Sequence, residues 1–429
     1  MPRPSSNRIV LVIVLVAAVA GVAGLVVLSN PGLFAPDPQS LGYDVRTGSR
    51  FLPLPAKPFQ APSVREIRMP HFVGDHAVWG ATGRDTAGGI WIGASAWSGG
   101  KSSARLFHYD PATNAWHDRG AVDEQLKAAG LYREGERQNK IHSKIIPADD
   151  GWLYFASSDE GGEDSKTNKS PHWGSHLWRI HPRTFRWQHL MAVPEGLVAA
   201  SGVGRHVFAL GYFGHVLYRY DTVTGEHKRV AVGSLGGHVS RNFLADANGH
   251  AYVPRLRSGP DGKPFAELVE YDSGLRELKA TPLEDYLGKA TPESHHGITG
   301  LTYLADGRMV FTTHRGQLYL IEPSDRGPAN VSLVGWFHPD GEAYAPSLFS
   351  FRGGDLLAGV TQRKGRYEWV VLELTTRIAG AFPLDTKGLK DVLLYGSMAR
   401  DDAGRFYVGG WTSRDGGMKP LVMQITPAG

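Results

Sequence analysis

The chain contains no cysteine in 429 residues. That removes disulfides, thiolate nucleophiles and Cys-ligated zinc or iron–sulfur centres together. It also lacks a strong charge of either sign, since 46 Lys+Arg against 42 Asp+Glu leave a formal +4. A nucleic-acid binder needs a basic stripe, and none runs through the sequence, so nucleic acid is not an expected partner. No G-x-S-x-G, Walker loop or H-E-x-x-H occurs, which sets aside the nucleophile-elbow hydrolases, P-loop enzymes and zincins. Long apolar runs are scarce as well. The exception is residues 9–28, preceded by Arg3 and Arg8. About 20 apolar residues can cross a bilayer as a helix, whereas the apolar core of a cleaved signal peptide is shorter. Ser29-Asn30-Pro31 follows, without a clear small-residue cleavage pattern.

The expected plan is therefore a cytoplasmic basic N-terminus at residues 1–8, a transmembrane signal anchor at 9–28 and a stalk at 29–40. The positive flank precedes the span, so residues 41–429 should be exported, on the periplasmic or extracellular side of the inner or plasma membrane.

What the chain does have is 54 Gly, 27 Pro and 10% aromatics, the composition of short strands joined by tight turns. One unit recurs. An Asp/Gly turn after a first strand appears as Asp149-Asp150-Gly151, Asp246-Ala247-Asn248-Gly249, Asp306-Gly307 and Asp401-Asp402-Ala403-Gly404. A second turn, after a third strand, appears as Tyr109-Asp110-Pro111, Tyr220-Asp221-Thr222 and Tyr271-Asp272-Ser273-Gly274. First strands starting near Val78, Ser143, Leu197, Ser240, Gly297, Ser347 and Ser397 are spaced by roughly fifty residues, the propeller range. The expected fold is all-β: a single seven-bladed β-propeller closed by an N-terminal strand and preceded by one transmembrane helix. The chain ends where a third strand would end, so residues 49–54, after the turn-like Tyr43-Asp44, are expected to complete the last blade. Short helices are expected at residues 122–129 and 283–287.

First strands begin, and second strands end, at one edge of each sheet, and loops on a rigid scaffold carry function. That edge collects His142, Arg241, His238, His296 and Arg255, with Tyr212, His176 and Trp173 nearby. A divalent metal on His142, His238 and His296 is conceivable, because imidazole suits Mn, Zn and Fe, but no tight spacing such as H-x-H supports it. Cofactors are otherwise unspecified. Asp159, Glu160 and Glu293 are carboxylates in reach of the same edge. Residues 161–170 read as a polar loop.

On these residues the chain resembles the seven-bladed propeller polysaccharide lyases, chiefly the ulvan lyases and more distantly the oligogalacturonate lyases. The resemblance is strongest over residues 140–257 and is architectural elsewhere. It matches His142 to the family's first histidine, His176 to the second after an insertion at 161–170, and Arg255 to the arginine. His238 stands where the family has tyrosine. What the resemblance implies is β-elimination on a uronate-containing polysaccharide. Arg255 with His142 would neutralise the carboxylate, His238 would take the C5 proton, and His238 or Tyr212 would protonate O4. His176, Arg241, His296 and Trp173 would bind substrate. The alternative is a non-catalytic propeller that binds a glycan or a protein at the cell envelope.

Overall fold

The computed structural model describes residues 54–429, except 98, 100, 165, 166, 168, 239, 352–354, 387 and 398, together with two-residue strands at Tyr43–Asp44 and Ser49–Arg50. The expected anchor at 9–28 and stalk at 29–40 lie outside the described residues. Among the described residues no helix is long and apolar enough to cross a membrane.

Among the described residues, seven antiparallel sheets of four or five strands follow one another along the chain. In blade 3 the strands are Gly196–Val203, His206–Tyr212, Val216–Asp221 and His227–Ala231. The first is buried along its whole length and the last is mostly exposed, so the first strand lies innermost and the fourth on the rim. The apolar side chains sort into seven clusters, each drawn mainly from two neighbouring blades. Blades 6 and 7 share Phe349, Trp369 and Phe406, and blades 7 and 1 share Tyr407, Val422, Ile90 and Ile92. A four-stranded sheet has two apolar faces, and only a ring gives each face a partner.

The recurring turn aspartates have a structural task. Asp246 Oδ1 accepts from the backbone N–H groups of Asn248 and His250, both at 2.9 Å, and Oδ2 accepts from the Tyr252 hydroxyl at 2.7 Å. Asp401 accepts in the same way from Ala403, Arg405 and Tyr407. In blade 1 Asp85 takes Gly89 N–H and the Trp91 indole. A carboxylate with several donors satisfies the turn and anchors an aromatic on the next strand.

The ring does close through an N-terminal strand, but not the expected one. Ser63–Glu66 pairs antiparallel with Gly417–Thr426, with Val64 opposite Ile425 and Glu66 opposite Met423. Ser49–Arg50 takes no part in that sheet, and Leu54 is exposed. Val64 supplies the buried apolar contact that the closing position needs. Of the two expected helices, one forms at Val122–Ala128, led by Asp123 and Glu124 at its positive end. The stretch at 283–287 stays non-helical because Asp285 adopts φ 45°, outside the right-handed helical region. Single 3-10 turns occur instead at Leu235–Gly237 and Pro292–Ser294.

Candidate functional site

The innermost strands are interrupted. Blade 1 breaks between Asp75–Ala77 and Thr82–Arg84, and blade 2 between Lys140–Ile141 and Ile146–Pro147. Blade 4 retains only Leu244–Ala245 as its inner strand. In blades 5, 6 and 7 the register slips at Ile298/Leu301, Tyr344/Ser347 and Leu394/Gly396. Breaks and bulges re-aim side chains that a regular strand would tuck between blades. Here they deliver Trp79, His142, Lys144, Arg241, Asn242, Thr299, Tyr344 and Tyr395 to one cavity of about 10 Å³, a volume that admits one water-sized group.

Its floor is buried and its wall is aromatic. Asn242 donates to the carbonyls of Ile298 and Thr299 at 3.1 and 3.0 Å, and Thr299 donates to Ala345 O at 2.9 Å, so both are held by the frame. Lys144 donates to Gly80 O at 3.2 Å. Gly80 sits at φ 85°, and a Cβ there would meet Tyr395 O at 3.0 Å, so glycine lets that carbonyl reach the lysine. Burial pulls the Lys144 ammonium down to about 8. Arg241 lies over the Tyr395 ring, 5.1 Å from its centroid, and among the described residues its Nε and Nη1 have no hydrogen-bond partner. Among the described residues no aspartate or glutamate lines the cavity.

His142 donates from Nδ1 to Val198 O at 2.7 Å. Burial, reinforced by Lys140 and Arg241, holds its pKa well below the usual imidazole value. The ring is therefore neutral. Because Nδ1 faces a carbonyl, it carries the proton, and Nε2 keeps a lone pair.

Beside the cavity stands an array of neutral histidines. His296 stacks on His314 at 4.7 Å and 7°, and both rings meet Tyr344 edge-on. Gly297, at φ 69°, allows the close approach of blades 4 and 5, since a Cβ there would fall 2.4 Å from Ser240 Oγ. His295 donates from Nε2 to Tyr286 O at 2.8 Å and accepts at Nδ1 from Gly297 N–H at 3.0 Å.

Of the residues expected from sequence, His142 and Arg241 line the cavity, and His296 and Tyr212 lie in the surroundings of Arg241. The others are placed elsewhere. His238 is fully buried, with Nδ1 donating to Pro292 O and Nε2 accepting from the Tyr286 hydroxyl, both at 3.2 Å. Arg255 gives Nε to Glu267 at 2.6 Å and both terminal nitrogens to Glu277 at 2.8 and 2.9 Å. His176 is held between Glu136 and His189, each at 2.9 Å. Trp173 carries the Arg133 guanidinium over its ring. Neither His238 nor Arg255 lines the cavity with His142, because their polar atoms are spent inside blade 4 and its junction with blade 5. Among the described residues no group of three or more His, Cys, Asp or Glu, the trio His142, His238 and His296 included, is placed to hold a metal ion. Sequence reading missed Trp79, Lys144, Asn242, Thr299, Tyr344 and Tyr395. The available signal was Lys144, two positions beyond His142 in the same broken strand.

The fold and site define a β-propeller with a polar, cation-lined cavity among its inner strands. No family model matches the chain, and no curated protein matches it. Solved structures share the fold. The extracellular domain of the one-component system protein BT4673 from B. thetaiotaomicron has a TM-score of 0.51 at 15% identity, over 84% of this chain and 40% of that one. The chain thus spans well under half of that domain. The β-propeller domain of Cps50 (Swd1) from Myceliophteria thermophila has a TM-score of 0.51 at 11% identity, over 85% and 99%. A fungal alcohol oxidase of the AA5 family in complex with copper has 0.50 at 10%, over 86% and 77%. At these identities the likeness is one of fold alone.

Proposed function

We propose that the chain is an exported, membrane-tethered propeller that cleaves a uronate-containing polysaccharide by β-elimination. The observation that carries this reading is the cavity, where a neutral imidazole with a free lone pair shares a floor with two cations and no carboxylate. The sugar carboxylate lodges against Arg241, which makes the neighbouring C5–H more acidic and stabilises the enolate that follows. His142 Nε2 takes the C5 proton. The electron pair left on C5 forms the C4=C5 double bond as the C4–O4 bond breaks, and O4 takes a proton from Tyr344. The products are an unsaturated sugar and a chain bearing a new hydroxyl end. His142 later returns its proton to solvent, and Tyr344 regains one.

A second reading, a binding propeller without catalysis, is favoured by the strong depression of the His142 pKa, which weakens it as a base. The full chain incubated with a panel of uronate polymers separates the two. Elimination is expected to produce ultraviolet absorbance from the unsaturated product with at least one polymer. Measurable binding without absorbance from any of them would sink the catalytic reading and leave the binding one.

A further inference from the structure

Three other buried cations in the protein are neutralised by carboxylates. Arg84 pairs with Asp402 at 2.6 Å, Arg219 with Glu226 at 3.1 Å, and Arg255 with Glu267 and Glu277. Lys144 is not. It is 6% exposed, and among the described residues its ammonium has only a backbone carbonyl as partner and no carboxylate pairs with it or with Arg241. An unpaired ammonium away from water is destabilising. A folded protein retains such a group where a ligand supplies the missing charge, as active sites commonly trade stability for function.

We propose that Lys144 and Arg241 form a two-cation seat for a single sugar carboxylate, and that Lys144 selects acidic sugars over neutral ones. This rests on the reading of the cavity as the place where the acidic sugar docks. The space is about 10 Å³, so the ring itself stays above it, against the half-buried Trp79, Tyr344 and Tyr395. Only a small group projecting from the ring reaches the floor. The carboxylate attached directly to the ring is the smallest anionic group that an acidic sugar projects, and a sulfate ester is bulkier. Lys144 Nζ and the unpartnered Nε and Nη1 of Arg241 would both reach the carboxylate there. Arg255, the arginine that the sequence suggests for this task, is already neutralised by two glutamates.

The test uses the full chain and Lys144→Met, with galacturonic and glucuronic acid, galactose, glucose and inorganic sulfate as probes. Calorimetry is expected to show wild-type binding of a uronic acid and neither neutral sugar nor sulfate, and a loss of at least about tenfold in Lys144→Met. Thermal melting supplies a second readout. Without ligand, Lys144→Met is expected to melt about 2–4 °C higher than wild type, because it removes an unpaired buried charge. Uronic acid is expected to raise the wild-type Tm and leave that of the variant unchanged. If Lys144→Met binds uronic acid as tightly as wild type, or melts lower without ligand, Lys144 is structural and the proposal is overturned. The same holds if wild type binds no uronic acid. Should Lys144→Met fail to fold, Lys144→Gln carries the binding arm under the same criteria. Binding that follows this pattern while every polymer stays uncleaved removes the elimination chemistry but keeps the seat. Cleavage that persists in Lys144→Met with unchanged KM removes the seat but keeps the chemistry.

Discussion

Acidification from about pH 6.5 to about pH 5.5 is expected to remove roughly 4–5 kcal/mol of folding stability through five buried histidines alone, close to 1 kcal/mol for each. Burial is the leading cause in every case. It holds His215, His238, His295, His296 and His314 down to about 3, 4, 3, 2 and 4. In the unfolded chain each ring takes a proton near its ordinary value of about 6.5. Because the folded pKa lies below the unfolded one, this stability is fully present above about pH 6.5. It is lost as the pH falls through that value, until the folded rings protonate at about 4 and below. His215 makes the sign plain, since among the described residues neither of its ring nitrogens has a partner and a proton there would add an unpaired charge. Glu163, pushed up to about 7 by burial, works the other way, because the folded state binds its proton first. It offsets about one histidine. Ordinary domains have about 5–15 kcal/mol in total, so cooperative acid unfolding near pH 5 is the expected behaviour. Denaturant titrations at a series of pH values measure it directly. His314→Phe should flatten the slope by up to about 1.4 kcal/mol per pH unit, and a stability constant from about pH 7 to about pH 5 would refute the buried neutral array.

The second large effect concerns His142. If it is the base, His142→Asn is expected to lower kcat by about 10²–10⁴-fold with little change in KM. Asparagine keeps an N–H near the Nδ1 position, so the bond to Val198 O can persist while the Nε2 lone pair disappears. Loss of folding would be a poor explanation for the result, because the hydrogen bond at issue is worth about 1 kcal/mol. A Tm within a few degrees of wild type is the control. Unchanged kcat on a polymer that wild type cleaves would move the base elsewhere.

Much of the fold was legible because its turn chemistry repeats. The aspartates at 246 and 401 bind their own turns and a tyrosine six residues on, so the same chemistry marks the same place in separate blades. Closure was legible in principle but not in position. Tyr43-Asp44 imitates the repeated turn, whereas Ser63–Glu66 needs only Val64 facing inward, and backbone pairing with Gly417–Thr426 does the rest. One buried residue in four leaves almost no pattern to read.

The site was harder. His142 and Arg241 are charged or titratable residues at strand entries, and that is a visible signal. Arg255 sits at the same edge in sequence, but register places Glu267 opposite it and Glu277 on the next strand. Such cross-strand pairing can be guessed from charge pattern only once the strands are aligned. Tyr344, Tyr395 and Thr299 reach the cavity through bulges, and a bulge depends on neighbouring blades more than on local sequence.

The cation-lined cavity would be tested most directly by a crystal structure of the protein with a bound uronate oligosaccharide. The expected result is a sugar carboxylate between Lys144 Nζ and the Arg241 guanidinium, with C5 facing His142 Nε2. An oligosaccharide bound on the outer strands, with its carboxylates in solvent and the cavity untouched, would contradict it.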